Sequence, residues 1–434
     1  MPKYYMPTTL LSGKDCVRRH PRHLIHGTSC MIVTGKNSAV VSGALSDVTA
    51  VLDDNGVKYQ IYDGVNGDTN ISEIYALAQL IKKAGANYVI GIGGGSVLDV
   101  AKAAAVYATN DMEPMDIFNE KYDNTPLNVV CIPTTAGTGS DTTQYVMLTI
   151  DEPQNKRSFS SEVCFPYATY LDSRYTMTLP IEVTRNTAVD ALCHAVESYL
   201  NTKASAFSDM VALEAIRLIG QCTDALVTGN ITEKDREKLL TAASAGGMAV
   251  AHTGLNLVHY MGHKVTCSKH IPHGRANGAL LVEFISFMAK ADIMRAVRVI
   301  DAFGSELSGF KKFIELSVPI DTEITEEDIQ QWTEFEVDPE VLENCPMEIS
   351  PTDVHNIYYN ALINKNRDYK RWLESLEKDK RRISHVRAHL CTLSTRRSRG
   401  HTICLLLFYQ TGFVKGVNGH NNVNIANWKV SSLY

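Results

Sequence analysis

The sequence contains no Cys-x-x-Cys pair. Its ten cysteines are scattered irregularly through 434 residues, so it shows neither a disulfide framework nor a zinc ribbon, and a reducing compartment is the default. Long hydrophobic runs are also missing. The longest, Ile403 to Tyr409, falls far short of the ~20 residues that cross a bilayer, so no membrane partner is expected. The N-terminus, MPKYYMPTTLLSGKDCVRRHPRHLIHG, has no apolar stretch of the secretory kind. A cytoplasmic location is expected, with a transit peptide as the alternative. Acidic residues stop at Asp379, and from Lys365 onward fourteen Lys/Arg face four Asp/Glu. Removing these from the totals of 42 and 48 leaves 28 basic against 44 acidic residues, a formal −16 where the whole chain has −6. A body this acidic argues against a nucleic-acid partner.

What is present is a soluble globular composition, 44% hydrophobic and 21% charged. The length exceeds one core at roughly 100–200 residues per domain, so two or more domains are expected. Up to about residue 180, β-rich runs alternate with helical stretches. Cys30–Thr34, Val57–Tyr62, Tyr88–Ile92 and Leu127–Ile132 read as strands. Gly43–Asp54 reads as a helix with Leu45, Val48, Val51 and Leu52 at helical spacing. Ile71–Ala84 is another, with Ile74, Leu77, Leu80 and Ile81 on one face. That alternation predicts an N-terminal α/β domain (1–180) with a parallel sheet covered on both sides. From about Leu179 long amphipathic stretches take over: Thr184–Leu200, Ala206–Val227, Glu233–His252 and Asn256–Thr266. They predict an all-α domain (181–363), with chemistry in a cleft between the two. Residues 364–434 are set apart as an atypical basic tail.

Two loops have the composition of ligand cradles. After the strand Tyr88–Ile92 come Gly93, Gly94, Gly95, Ser96 and, three residues on, Asp99. Three glycines let a phosphate approach the backbone, and the next helix points its free N–H groups at it. Ser96 and Asp99 also fit a capping box, which stabilises that helix whatever binds there. Ser96 stands where the standard G-x-G-x-x-G has its last glycine, and the bland reading is a tight, well-capped turn. The second loop, Pro133-Thr134-Thr135-Ala136-Gly137-Thr138-Gly139-Ser140, sets hydroxyls and amides at the carboxyl end of the next strand, where open α/β sheets bind ligands. Two such loops point to a dinucleotide.

Asp190 and His194 are four apart on one predicted helix, and His259 and His263 repeat the spacing on another. His273 follows in Ile271-Pro272-His273-Gly274. One carboxylate and three imidazoles make a sensible set for a divalent transition metal with an open position. A single histidine here would more often be an ordinary core or surface residue, and i,i+4 pairs arise in any amphipathic helix. The combination, behind two phosphate loops, is what points to a metal.

GGGSVLDVAK (93–102), PTTAGTGSD (133–141), DALCHAVESY (190–199) and GLNLVHYMGHKVTCSKHIPHG (254–274) resemble the iron-containing alcohol dehydrogenases in order and spacing, from near Tyr5 to about Leu362. The resemblance implies an α/β dinucleotide domain followed by a helical domain, the architecture shared with dehydroquinate synthase. It implies the metal ligands Asp190, His194, His259 and His273, with His263 as catalytic proton relay. Gly35, Lys36, Gly93, Gly94, Gly95, Ser96, Asp99, Thr134, Thr135, Thr138, Ser140 and Lys156 are the implied cofactor contacts. Fe²⁺ is the expected metal, with Zn²⁺ compatible. The implied chemistry is hydride transfer between a nicotinamide and a small primary alcohol or aldehyde, in a homodimer or larger homo-oligomer.

Three positions depart from the family. Asp141 replaces a common Glu, and Asp68-Thr69-Asn70 replaces Asn-Pro-Thr at one cofactor contact. At the end of the first strand, Gly35-Lys36 replaces an Asp that holds ribose hydroxyls in NAD-preferring members. Gly35 removes a repulsion against a 2′-phosphate and Lys36 adds attraction, which favours NADP(H) over NAD(H); the alternative is that Lys36 merely faces solvent. The short stretch Phe303–Asp321 predicts a loosely closed helical domain. Rival readings are a polyol dehydrogenase or dehydroquinate-synthase-like lyase on the same fold, or a disabled homologue with a binding role.

Overall fold

The computed structural model describes residues 4–364 apart from 68, 121, 152–154 and 335–336. The basic tail expected at 364–434 therefore lies outside the described residues, save Asn364. The first half is a six-stranded sheet in the order β1 (Thr9–Ser12), β8 (Ala168–Leu171), β5 (Asn128–Pro133), β4 (Tyr88–Gly93), β2 (Ser29–Gly35), β3 (Lys58–Val65). Every pairing is parallel. Helices α1 (Ala44–Asp54), α2 (Ile71–Ala84) and α3 (Gly95–Thr109) connect the strands. Separate apolar cores lie on the two faces, one holding Leu77, Ile81 and Ala101, the other Val48, Leu52 and Tyr170, so β4 is buried along its whole length. A hairpin of β6 (Tyr145–Ile150) and β7 (Asn155–Ser160) stands apart from this sheet.

The chain runs from β2 outward to β3 and then returns to place β4 on the other side of β2. The carboxyl ends of β2 and β4, Gly35 and Gly93, therefore flank the point where strand order reverses, the place where open α/β sheets form their ligand crevice.

The second half is helical: α4 (Ile181–Tyr199), α5 (Ala206–Gly220), α6 (Glu233–Thr253), α7 (Leu257–Lys269), α8 (His273–Met288), α9 (Ile293–Phe303) and α10 (Leu307–Ser317), with shorter pieces after them. They share one core in which Leu192, Val196, Leu280, Phe284 and Phe310 are buried.

Several sequence expectations need correction. The Ala206–Val227 helix is two helices, broken after Gly220 and resuming at Thr223–Thr228. Gly220 lies so close to Phe303 that a Cβ there would strike its carbonyl. Leu80 faces solvent at 46% exposure while Ile74, Leu77 and Ile81 are buried, because it sits a turn-fraction off the apolar stripe. The helical domain is not loosely closed: Phe310, Phe313 and Ile314 of α10 are buried, with Phe303 and Phe310 packed edge to face at 4.7 Å.

Candidate metal and cofactor site

The two sequence-predicted loops adjoin, because β4 and β5 pair from Tyr88–Asn128 to Gly93–Pro133. Thr134 N–H donates to Gly93 O at 2.9 Å. A Cβ on Gly94 would stand 3.2 Å from Thr135 Cγ2, and one on Gly95 would stand 2.6 Å from Thr138 Oγ1. The glycines are thus required for the close approach of the two loops. Thr138 is exposed and Thr134 is buried with its hydroxyl unpartnered among the described residues.

The capping box expected at Ser96 and Asp99 does not form. Gly94 is the N-cap of α3 and no side chain caps it; the chain is already helical at Gly95, so Ser96 sits inside the first turn. Asp99 instead accepts from Ser140 Oγ at 2.5 Å and from Met147 N–H at 3.1 Å. Lys102, which sequence reasoning passed over, completes this knot. Only 1% exposed, its ammonium donates to Ser140 Oγ (2.9 Å), Thr143 O (2.9 Å) and Tyr145 O (3.1 Å). All three of its protons are used, and they tie α3 to the threonine loop. Burial pushes the Asp99 carboxyl up, against the pull of Lys102 and Ser140.

The same loop meets the helical half. A Cβ on Gly137 would lie 2.6 Å from Thr187 Cβ on α4. Asp141 accepts from Ser244 Oγ of α6 at 2.6 Å, so the shorter acid at this position is engaged in holding the halves together. At Thr69–Asn70, the other departure, Asn70 caps α2 in a reciprocal box with Glu73.

On α4, Asp190 and His194 are buried on one face; His259 comes from α7 and His273 opens α8. One donor atom each from Asp190, His259 and His273 lies within 4.8 Å of the others. His259 Nε2 is 3.5 Å and His273 Nε2 4.0 Å from Asp190 Oδ1. His194 stands beside this set, its ring stacked on that of His259 at 4.4 Å. Asn277, a turn beyond His273, donates to Asp190 Oδ1 at 2.9 Å. Burial opposes a charge on Asp190, but the imidazoles of His194, His273 and His259 outweigh it and hold the carboxyl well below its usual range. Burial pushes His194 down to about 3 and His273 to about 4, so both are neutral near pH 7. Burial also disfavours a charge on His259, yet Glu197 and Asp190 raise it to about 10.

The donor set fits a divalent metal. His259 Nε2 and His194 Nδ1 are buried with no hydrogen-bond partner among the described residues, and a buried polar atom left so is costly unless something engages it. His263 lies outside the donor cluster, half-buried, with Cys267 Sγ 3.7 Å from Nε2. Burial, Lys264 and Lys156 hold its imidazole below the ordinary range. Lys156 is exposed on β7. Gly35 ends β2, and Lys36 is exposed just beyond it.

A doubly covered parallel sheet with a glycine loop at its switch point and a threonine loop beside it, backed by a carboxylate–histidine centre on helices, is the plan of a nucleotide-dependent metalloenzyme. The family model described as iron-containing alcohol dehydrogenase matches residues 7–173, and that for the C-terminal part of the Fe-containing alcohol dehydrogenase family matches 184–362. The chain belongs to the iron-containing alcohol dehydrogenase family. It is 33% identical over 262 residues to the probable alcohol dehydrogenase EutG of Salmonella typhimurium, covering 60% of this chain but just under two thirds (66%) of that protein. The NADPH-dependent butanol dehydrogenase of Clostridium saccharobutylicum is 27% identical over 303 residues, 69% of this chain and 77% of the relative. The crystal structure of an iron-containing alcohol dehydrogenase from Thermotoga maritima superposes with a TM-score of 0.75 at 33% identity, over 83% of this chain and 99% of that one.

Proposed function

We propose that this protein is a metal-dependent oxidoreductase that moves a hydride between NAD(P) and a small primary alcohol or aldehyde. The observation that carries the reading is the convergence of Asp190, His259 and His273 on one point, with His259 Nε2 buried and without a hydrogen-bond partner among the described residues. Asp190, His194, His259 and His273 would hold the metal. Fe²⁺ fits the family and Zn²⁺ the same donors. When bound, the metal supplies a Lewis acid that polarises the carbonyl or eases ionisation of the hydroxyl.

The chain's own residues do the rest. The glycine loop and Thr134, Thr135, Thr138 and Ser140 receive the dinucleotide phosphates, with Asp99 and Lys102 fixing Ser140. His263, neutral at working pH and half-exposed, passes the substrate proton to water. Gly35 leaves no carboxylate at the ribose and Lys36 offers a cation to a 2′-phosphate, so NADP(H) is the favoured cofactor; a relative is named for NADPH. The domain boundaries 1–180 and 181–363 follow the change from sheet to helices. The eight cysteines among the described residues are all unpaired, which suits a reducing cytoplasm. The exposure of Phe207 (62%) and Met210 (69%) on α5 suits burial in a homo-oligomer. Among the described residues no helix is long and apolar enough to cross a membrane.

The test is anaerobic reduction of short aldehydes by Fe²⁺- or Zn²⁺-loaded protein, with NADPH and NADH in parallel. Metal-dependent loss of reduced-nicotinamide absorbance, faster with NADPH, is expected. Folded, metal-loaded protein that turns over with neither cofactor would sink the reading.

A further inference from the structure

We propose that Glu197 is a positioning residue for the metal centre, fixing the ring and tautomer of His259 so that Nε2 meets the donor set with its lone pair free. The proposal rests on the ligand reading above. Glu197 lies seven residues past Asp190 and three past His194, so all three project from one face of α4. It is wholly buried, which is rare for a carboxylate without a dedicated task.

Its two oxygens have different partners. Oε1 accepts from the backbone N–H groups of Asn256 (3.1 Å) and His259 (3.2 Å). These belong to the opening of α7, where a helix leaves its first N–H groups unpaired. Oε2 contacts Nδ1 of the His259 ring. One carboxylate thereby grips the main chain and the imidazole of the same residue, which leaves the ring little freedom. The segment is braced from behind: Asn256 donates to Asn344 O at 3.0 Å and accepts from Cys345 Sγ at 3.3 Å.

An ionised carboxylate only accepts, so the contact with Nδ1 places a proton there. In a neutral imidazole the remaining lone pair then belongs to Nε2, the atom 3.5 Å from Asp190 Oδ1 and without a hydrogen-bond partner among the described residues. Such orienting carboxylates change metal affinity by about 10–100-fold.

Glu197→Gln separates this role from a merely structural one. The glutamine carbonyl can still accept from both backbone N–H groups, so α7 stays anchored. Its amide offers a donor to the ring, which moves the imidazole proton to Nε2 and blocks coordination. The dissociation constant for Zn²⁺ is measured by chelator competition on full-length wild type and variant, alongside dinucleotide affinity and the melting temperature of the metal-free proteins. The expected result is 10–100-fold weaker Zn²⁺ binding in the variant, with dinucleotide affinity unchanged and a lower but still cooperative metal-free melt, since the variant's amide no longer pairs with a charged His259. Zn²⁺ affinity within about twofold of wild type would overturn the proposal. A wild type that binds no Zn²⁺ would overturn the ligand reading itself. If the variant does not fold, ¹⁵N ring shifts of zinc-loaded wild type decide: a protonated Nδ1 on His259 supports the proposal and a bare Nδ1 refutes it.

Discussion

Gly139→Ala tests how the cofactor loop is seated on the helical half. Gly139 has φ +65°, and a Cβ there would stand 2.5 Å from Gly247 Cα and 3.0 Å from Gly247 N on α6. Two costs add. A left-handed backbone costs a non-glycine residue about 1–2 kcal/mol. Overlap with main-chain atoms, which cannot swing aside, adds about 1–3 kcal/mol of overpacking, for a total of about 2–5 kcal/mol. Gly304→Ala is the control, since Gly304 has φ +78° but nothing within 4 Å of its would-be Cβ; only the first cost, about 1–2 kcal/mol, applies there. Urea unfolding of both variants gives the stabilities, and cofactor titration gives the affinities. Gly139→Ala should lose more stability and bind dinucleotide more weakly, because Thr138 and Ser140 flank the displaced residue. Equal losses at the two sites, with unchanged cofactor affinity, would refute the seating of this loop on α6.

Other substitutions address the metal and the cofactor. Asp190→Ala or His273→Ala should abolish metal retention, read by elemental analysis, and turnover with it, while dinucleotide affinity stays near wild type; activity in a metal-stripped variant would overturn the assignment. Lys36→Asp should lower the kcat/KM ratio of NADPH over NADH by about tenfold, since a carboxylate replacing a cation near a 2′-phosphate is worth about 1–2 kcal/mol; an unchanged ratio means that Lys36 only faces solvent. His259 is raised to about 10, so in the metal-free protein it is charged at pH 7, and Zn²⁺ binding should release about one proton. Calorimetry in buffers of different ionisation enthalpy measures this. The sign for stability follows: the charged His259 stabilises metal-free protein fully below pH ~6.5 and that contribution is lost as pH rises toward 10. Metal-free protein that gains stability between pH 7 and 9 would contradict it.

The α/β half was legible where its signals are local. Ile71–Ala84 carries the apolar stripe of Ile74, Leu77 and Ile81 within the segment, and the structure has those bounds. The four strands expected from the sequence, β2 to β5, lie within three residues of their expected ends. β1 and β8 were not anticipated, because each is four residues long and owes its strand form to a parallel neighbour far away in sequence. Of the two i,i+4 pairs only Asp190 and His259 enter the donor cluster, joined by His273, while His194 stands beside it and His263 outside, because spacing sets which residues share a helix face but not what that face meets. Glu197, Lys102 and the true partners of Asp99 were not legible. Lys102 reaches residues about forty positions on, and Glu197 reaches about sixty, so no short window of sequence contains either interaction. The Ser96–Asp99 spacing misled for the complementary reason: a capping pattern one turn long was overridden by Ser140 from the neighbouring loop.

Metal-dependent hydride transfer leaves a signature in the hydrogen itself. Metal-loaded full-length protein is incubated with a short aldehyde and NADPH carrying deuterium at the transferable position of nicotinamide C4, and the alcohol is analysed by mass spectrometry. One deuterium on the carbinol carbon is expected, and only when metal is present. An alcohol without deuterium, or equal incorporation in metal-free protein, would contradict it.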